Sequence, residues 1–221
     1  MSLESIGERI RASLDARSAA RDRALILSRE IIRTCANTIR AAHRGELERA
    51  REMLRGAHEA SRQMREELTD FPDLAAAGYV HDCQKELAEA AAFLALTSGA
   101  DVPDPDELGV AYPAYLNGLA EAVGELRRYA LDGMRIGDLQ RAETTLATMD
   151  EIYYVLVTMD YPDALTGGLR RTTDAARGII EKTRGELTTA LRQEELREAL
   201  RDALTALGHG PVSGGPAEGA S

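Results

Sequence analysis

LESIGERIRASLDARSAARDRALILSREIIRTCANTIRAAH, residues 3–43, reads as one unbroken amphipathic helix. Leu3, Ile6, Ile10 and Leu14, then Ala24, Leu27, Ile31, Cys35 and Ile39, return every three or four residues and mark one apolar stripe. Ser2 can cap the start, and Gly45 ends the pattern. At about 1.5 Å per residue, forty residues make a rod near 60 Å long. Such a rod outreaches one compact domain. It must pack along several helices or extend towards a second subunit.

The same periodicity continues beyond it. A second helix is expected over about 46–68, with Leu47, Leu54, Ala57, Ala60 and Met64 inward. Thr69-Asp70-Phe71-Pro72 is a turn. A third helix follows over about 73–97, on the line Leu74, Ala77, Val80, Cys83, Leu87, Ala90 and Leu94. Residues 98–105, SGADVPDP, form a loop. The fourth helix starts near Asp106, or after Pro113 near Ala114, and runs to about Ile136. A fifth covers about 139–159, a sixth about 164–191, and a short last one about 194–207. No stretch reads as a strand. The expected fold is all-α, a bundle of six to seven long antiparallel helices in one domain over residues 1–207. The tail 208–221, GHGPVSGGPAEGAS, lacks apolar periodicity and is expected to be disordered.

Composition narrows the classes. The chain has 221 residues, 44% of them hydrophobic, enough for a sizeable core. No apolar run approaches a transmembrane length, and the N-terminus carries acids from the start, so the expectation is a cytoplasmic protein without a membrane partner. Cys35 and Cys83 sit at apolar helix positions and read as buried reduced thiols. The four histidines, at 43, 58, 81 and 209, show no ligand spacing and read as surface or helix-end residues. A net charge of -10 does not suggest a general polyanion binder. The charge is uneven, however. Residues 1–45 hold nine Arg against five acids.

Acidic side chains supply the chemistry that is left. Glu86 and Glu89, spaced i, i+3, share a face of the third helix, and Asp82 lies one turn earlier. Glu121 and Glu125, spaced i, i+4, share a face of the fourth. Asp138 closes Gly137-Asp138, where it can cap the next helix and still spare an oxygen for a cation. Taken alone, each group has a plainer reading: a solvated acidic stripe, an ion pair of Glu125 with Arg128, a helix cap. Taken together, three or four carboxylates from two helices make a hard-cation site, which phosphodiester cleavage requires. No Cys-His or Ser-His pattern, glycine-rich phosphate loop or zinc spacing competes with it.

Three segments resemble the translin family, and within it the translin-associated factor X branch and its archaeal relatives. RALILSREIIRTCANTIRAAHR (23–44) is similar to the family's first-helix pattern. GLAEAVGELRRYALDGMRIGD (118–138) is similar to its most specific motif, and RRTTDAARGIIEKTRGEL (170–187) to its last core helix. The resemblance spans about residues 1–192. It implies an all-α fold, a hollow homo-oligomer often of eight subunits, and single-stranded RNA or DNA as partner. For the factor X branch it implies Mg²⁺-dependent endoribonuclease activity, with Mn²⁺ as the alternative ion. Glu86, Glu89 and Asp138 then stand as the catalytic, metal-holding residues, and Glu125 as a fourth ligand. Translin-like subunits without catalysis lack the acidic pair.

Two functions follow. In the first, the protein cleaves single-stranded RNA inside an oligomeric shell, and Arg21, Arg29, Arg33 and Arg40 on the first helix neutralise phosphates. In the second, it is a non-catalytic single-stranded nucleic-acid-binding scaffold, and the acids serve only as salt-bridge partners. Convergence of the acids on one point separates the two. The scarcity of aromatics, 4% of residues, argues against base-specific stacking in either.

Overall fold

The protein's computed structural model describes residues 2–207. Among these it is all-α, with nine helices and no strand. The first is α1, Leu3–His43, capped by Ser2 as its sequence suggests. A short turn reverses the chain into α2, Leu47–Glu67, which lies back along α1. Then come α3, Pro72–Ala75, and α4, Gly78–Ser98. The loop after α4 contains α5, Pro105–Leu108, opened by a capping box between Asp104 and Glu107. The chain continues as α6, Tyr112–Arg135; α7, Leu139–Val157; α8, Asp163–Thr166; and α9, Leu169–Ala206.

The core is centred on α4 and α6. Leu87 through Ala95 of α4 are all buried, on every side of the helix. A helix this apolar all round must be enclosed, and α1, α2 and α6 enclose it. α6 packs in turn on α7 and α9. Phe93, Leu87, Leu126, Ile31 and Met149 are the large side chains at the centre. Alanine dominates the α4 surface, so its neighbours approach closely. At Gly118 of α6 the approach is so close that a Cβ would lie 2.6 Å from the Lys85 carbonyl oxygen and 2.7 Å from the Ala88 Cβ. Only glycine fits there, and one turn further along α6 comes Glu121.

The helix boundaries differ from expectation in three places. The third helix breaks before Gly78, a poor helix former, leaving α3 as a separate turn. The sixth breaks at Gly167 and Gly168, both at positive φ (62° and 80°). Conversely, α9 runs through residues 191–194 without a pause, because ALRQEELR holds neither Gly nor Pro. α1 enters the core only from Ala20 onward, so Leu3, Ile10 and Leu14 of its stripe are exposed. In α9 the last buried residue is Leu187. Cys35 and Cys83 are buried free thiols. No helix among the described residues is long and apolar enough to cross a membrane. The expected disordered tail lies outside the described residues.

Candidate metal centre

Three carboxylates converge between α4 and α6. One oxygen from each of Glu86, Glu89 and Glu121 lies within 4.8 Å of the other two. The i, i+3 spacing sets the first pair on one face of α4. Gly118 brings the third, since α6 can lie against the Lys85–Glu89 backbone only where it has no side chain. Lys85 closes the group from the side, its Nζ 2.7 Å from Glu121 Oε1.

Burial makes this arrangement costly. Glu89 is 9% exposed and sits within the apolar run of α4. Burial, then the negative charges of Glu86, Glu121 and Glu125, push its carboxyl up to about 8. Burial likewise raises Glu86, with Glu121 and Asp82 adding to it against the opposing pull of Lys85. The field extends to Cys35, whose thiol is driven up chiefly by burial and further by Glu86, Cys83 and Glu89. One ammonium does not balance three carboxylates. A divalent cation would.

The donor set fits such an ion. Mg²⁺ takes oxygen ligands at about 2.0–2.1 Å, so two oxygens on one ion stand roughly 3–4 Å apart, and the three carboxylate oxygens here already lie within 4.8 Å of one another. Few protein ligands and a partly open flank suit an ion that keeps several waters.

Glu125, one turn after Glu121, is turned aside. Its Oε2 accepts a hydrogen bond from His43 Nε2 at 2.6 Å, and Arg128 stands 4.0 Å from the same oxygen. The His43 hydrogen bond is the main reason its carboxyl is held below the usual range. His43 was expected at a surface or helix end. It does end α1, but its side chain is only 5% exposed.

Asp138 does not join the cluster. From Glu121, α6 runs on to Arg135, about 20 Å of helix, before the chain reaches Asp138. There Asp138 is the N-cap of α7, its Oδ1 accepting from the Arg141 amide at 3.1 Å, and Gly137 before it takes positive φ (82°). It lines a separate cavity of about 360 Å³ with Tyr129 and Arg141. Its cap role is the plainer reading of the Gly-Asp motif. The third carboxylate of the centre is Glu121, whose face on α6 is legible in the sequence but whose partner across the helix interface is not.

The basic candidates lie elsewhere. Arg21, Arg29, Arg33 and Arg40 are all exposed. Arg29, Arg33 and Arg40 fall on one stripe of α1, opposite the buried face of Ala24, Ile31 and Cys35. Arg21 lies off this stripe beside Asp22, and Arg40 donates to Asn37. Cys35 faces Glu86 and Glu89, so within one chain this stripe points away from the acidic centre.

No family model matches the chain. It is 33% identical over 187 residues to an uncharacterised protein of Methanocaldococcus jannaschii, covering 84% of this chain and 82% of that one. Among solved structures, AfC3PO in complex with duplex RNA superposes with a TM-score of 0.77 at 36% identity, covering 84% of this chain and 96% of that one. A second structure of AfC3PO gives 0.78 at 35% identity, over 84% of this chain and 97% of that one. Apo-NeC3PO, at 20% identity and a TM-score of 0.71, shares the fold. With about a third of its residues identical to AfC3PO across nearly the whole AfC3PO chain, with the same fold, and with the three motifs in order along α1, α6 and α9, the chain belongs to the translin family.

Proposed function

We propose that the protein binds RNA and cleaves it hydrolytically as a metal-dependent endoribonuclease, with Glu86, Glu89 and Glu121 as its metal-holding residues. The observation that carries this reading is the meeting of those carboxylates at one point between α4 and α6. Mg²⁺, or Mn²⁺ in its place, held by these carboxylates would supply a Lewis acid to activate water and offset charge on the phosphate. Glu86 and Glu89 offer oxygens from one helix face, and Glu121 offers its oxygen from across the interface. Lys85 orients Glu121 through their 2.7 Å contact. Water adds to phosphorus, one P–O ester bond breaks, and the leaving oxygen takes up a proton. Resemblance to AfC3PO, whose structure includes duplex RNA, supports RNA as the partner. The exposed Arg29, Arg33 and Arg40 supply cations for phosphates on a surface remote from the cleavage centre of the same chain. Self-association into a closed homo-oligomer would let the stripe of one subunit serve the centre of another.

The second reading is a non-catalytic nucleic-acid-binding scaffold. The Lys85–Glu121 ion pair favours it, because Lys85 already provides a resident cation. Incubation of the purified protein with end-labelled single-stranded and duplex RNA, in Mg²⁺ or in EDTA, separates the two. The nuclease reading expects internal cleavage in Mg²⁺ only, lost in Glu89→Gln. Retained RNA with no cleavage in Mg²⁺ or Mn²⁺ establishes the scaffold.

A further inference from the structure

His43 touches no member of the three-carboxylate cluster, yet it is built into the same wall. It is the last residue of α1, and its ring packs against Phe93 of α4 with centroids 4.6 Å apart. Phe93 is itself braced edge-on by Tyr129 of α6, at 6.4 Å. The His43 side chain, only 5% exposed and stacked on a ring that is itself braced, has little freedom to turn, and this sets the direction of its Nε2. That nitrogen meets Glu125 Oε2 at 2.6 Å. Glu125 occupies the same face of α6 as Glu121, one turn on, and its charge is felt at Glu89. His43 engages Oε2, so Oε1 is the Glu125 oxygen not taken by that contact.

We infer that His43 is a positioning residue of the centre: it holds Glu125 as an outer carboxylate, beside Glu86, Glu89 and Glu121 but not among the direct ligands. This rests on the metal-centre reading above. Groups placed just outside the ligands fix the orientation of what binds there, and losing one weakens metal affinity or activity by about 10- to 100-fold. A fixed outer carboxylate can accept a hydrogen bond from water in the site and so orient it. The same contact also joins the end of α1 to α6, and a purely structural role would stop there.

Calorimetric titration of Mn²⁺ into the full-length protein distinguishes these roles. His43→Phe keeps the ring against Phe93 and removes the donor. His43→Gln keeps an N–H donor at similar reach. The expected result is Mn²⁺ binding weakened about 10- to 100-fold in His43→Phe and largely recovered in His43→Gln. Glu125→Gln should match His43→Phe, and the double variant His43→Phe/Glu125→Gln should lose no more than either alone, as expected for residues acting as one unit. Wild-type Mn²⁺ affinity in His43→Phe overturns the inference. Should that variant fail to fold, unchanged affinity in Glu125→Gln overturns it equally. Absence of Mn²⁺ binding by the wild type removes the metal-centre reading itself, and the inference with it.

Discussion

Glu89 carries the sharpest consequence at the scale of one residue. Its carboxyl is pushed up to about 8 from an ordinary 4.5. Between those values the unfolded chain has released the proton and the folded chain keeps it, so stability falls as pH rises through this window. The metal-free protein should therefore lose resistance to urea between about pH 5 and 8, by an amount on the order of a few kcal/mol. Glu89→Gln should flatten this slope, and Mn²⁺ should restore the wild type at pH 8. A slope identical in Glu89→Gln would mean that another group sets it. Glu125 has the opposite sign: its carboxyl is depressed, so its contribution is present at neutral pH and is lost on acidification. Asp138 allows a second test. Asp138→Asn keeps a capping oxygen and should leave both urea resistance and RNA cleavage at wild-type levels, whereas Asp138→Ala should cost about 1 kcal/mol. Loss of cleavage in a folded Asp138→Asn would return this residue to the centre. The i, i+3 spacing makes the Glu86–Glu89 face legible in the sequence. Asp138 shows the limit of such reading, because a motif's acid serves as a cap or a ligand according to which neighbours the fold brings to it.

Among the elements, the α4–α6 interface decides whether the centre exists. Its register rests on Gly118, where an added Cβ would press on backbone and on the Ala88 methyl, neither of which can swing away. Gly118→Ala should force the helices apart, cost about 1–3 kcal/mol and weaken Mn²⁺ binding by separating Glu121 from Glu86 and Glu89. Gly124, two turns along the same helix, has open space where its Cβ would be. Gly124→Ala should stabilise the protein by up to about 1 kcal/mol through helix propensity alone. Urea midpoints shifting the same way in both variants would contradict the close approach. The helices themselves are readable because their stripes are long. The boundaries near Gly78 and Gly167-Gly168 are not, since apolar spacing carries across a single turn that glycine breaks. Likewise, the merger of the last two helices follows from the absence of a breaker, a weaker signal than its presence. The identity of Glu121 as third carboxylate belongs to the register between two helices, which no periodicity within either one encodes.

For the whole molecule the open quantities are charge and exposed apolar surface. Net charge of -10 coexists with a positive stripe at Arg29, Arg33 and Arg40. If that stripe holds RNA phosphates, replacing all three by Gln should weaken binding at low salt. It should also lower the slope of log K against log salt by roughly 2–3, at about 0.7–0.9 per phosphate contact. An unchanged slope would move the RNA surface elsewhere.

Exposed leucines raise the question of assembly. Leu3, Ile10 and Leu14 on α1 and Leu196, Leu200 and Leu204 on α9 all face solvent within one chain. Each set repeats at helical spacing, so each forms a continuous stripe on a helix that extends past its last or first core contact. Scattered apolar residues need no explanation, but aligned ones on two projecting helices mark surfaces that water covers poorly. A closed homo-oligomer would bury them, and by bringing subunits together it could set the Arg stripe of one opposite the acidic centre of the next. Multi-angle light scattering should then give a mass that is a multiple of 24.0 kDa. Leu196→Glu/Leu200→Glu should shift it towards the monomer with helical content retained, because neither side chain contributes to the core. RNA cleavage should fall with the assembly if centre and stripe belong to different subunits, and persist if one chain suffices. A wild-type mass of 24.0 kDa at micromolar concentration would leave the stripes unpaired and confine RNA binding and cleavage to surfaces of a single chain.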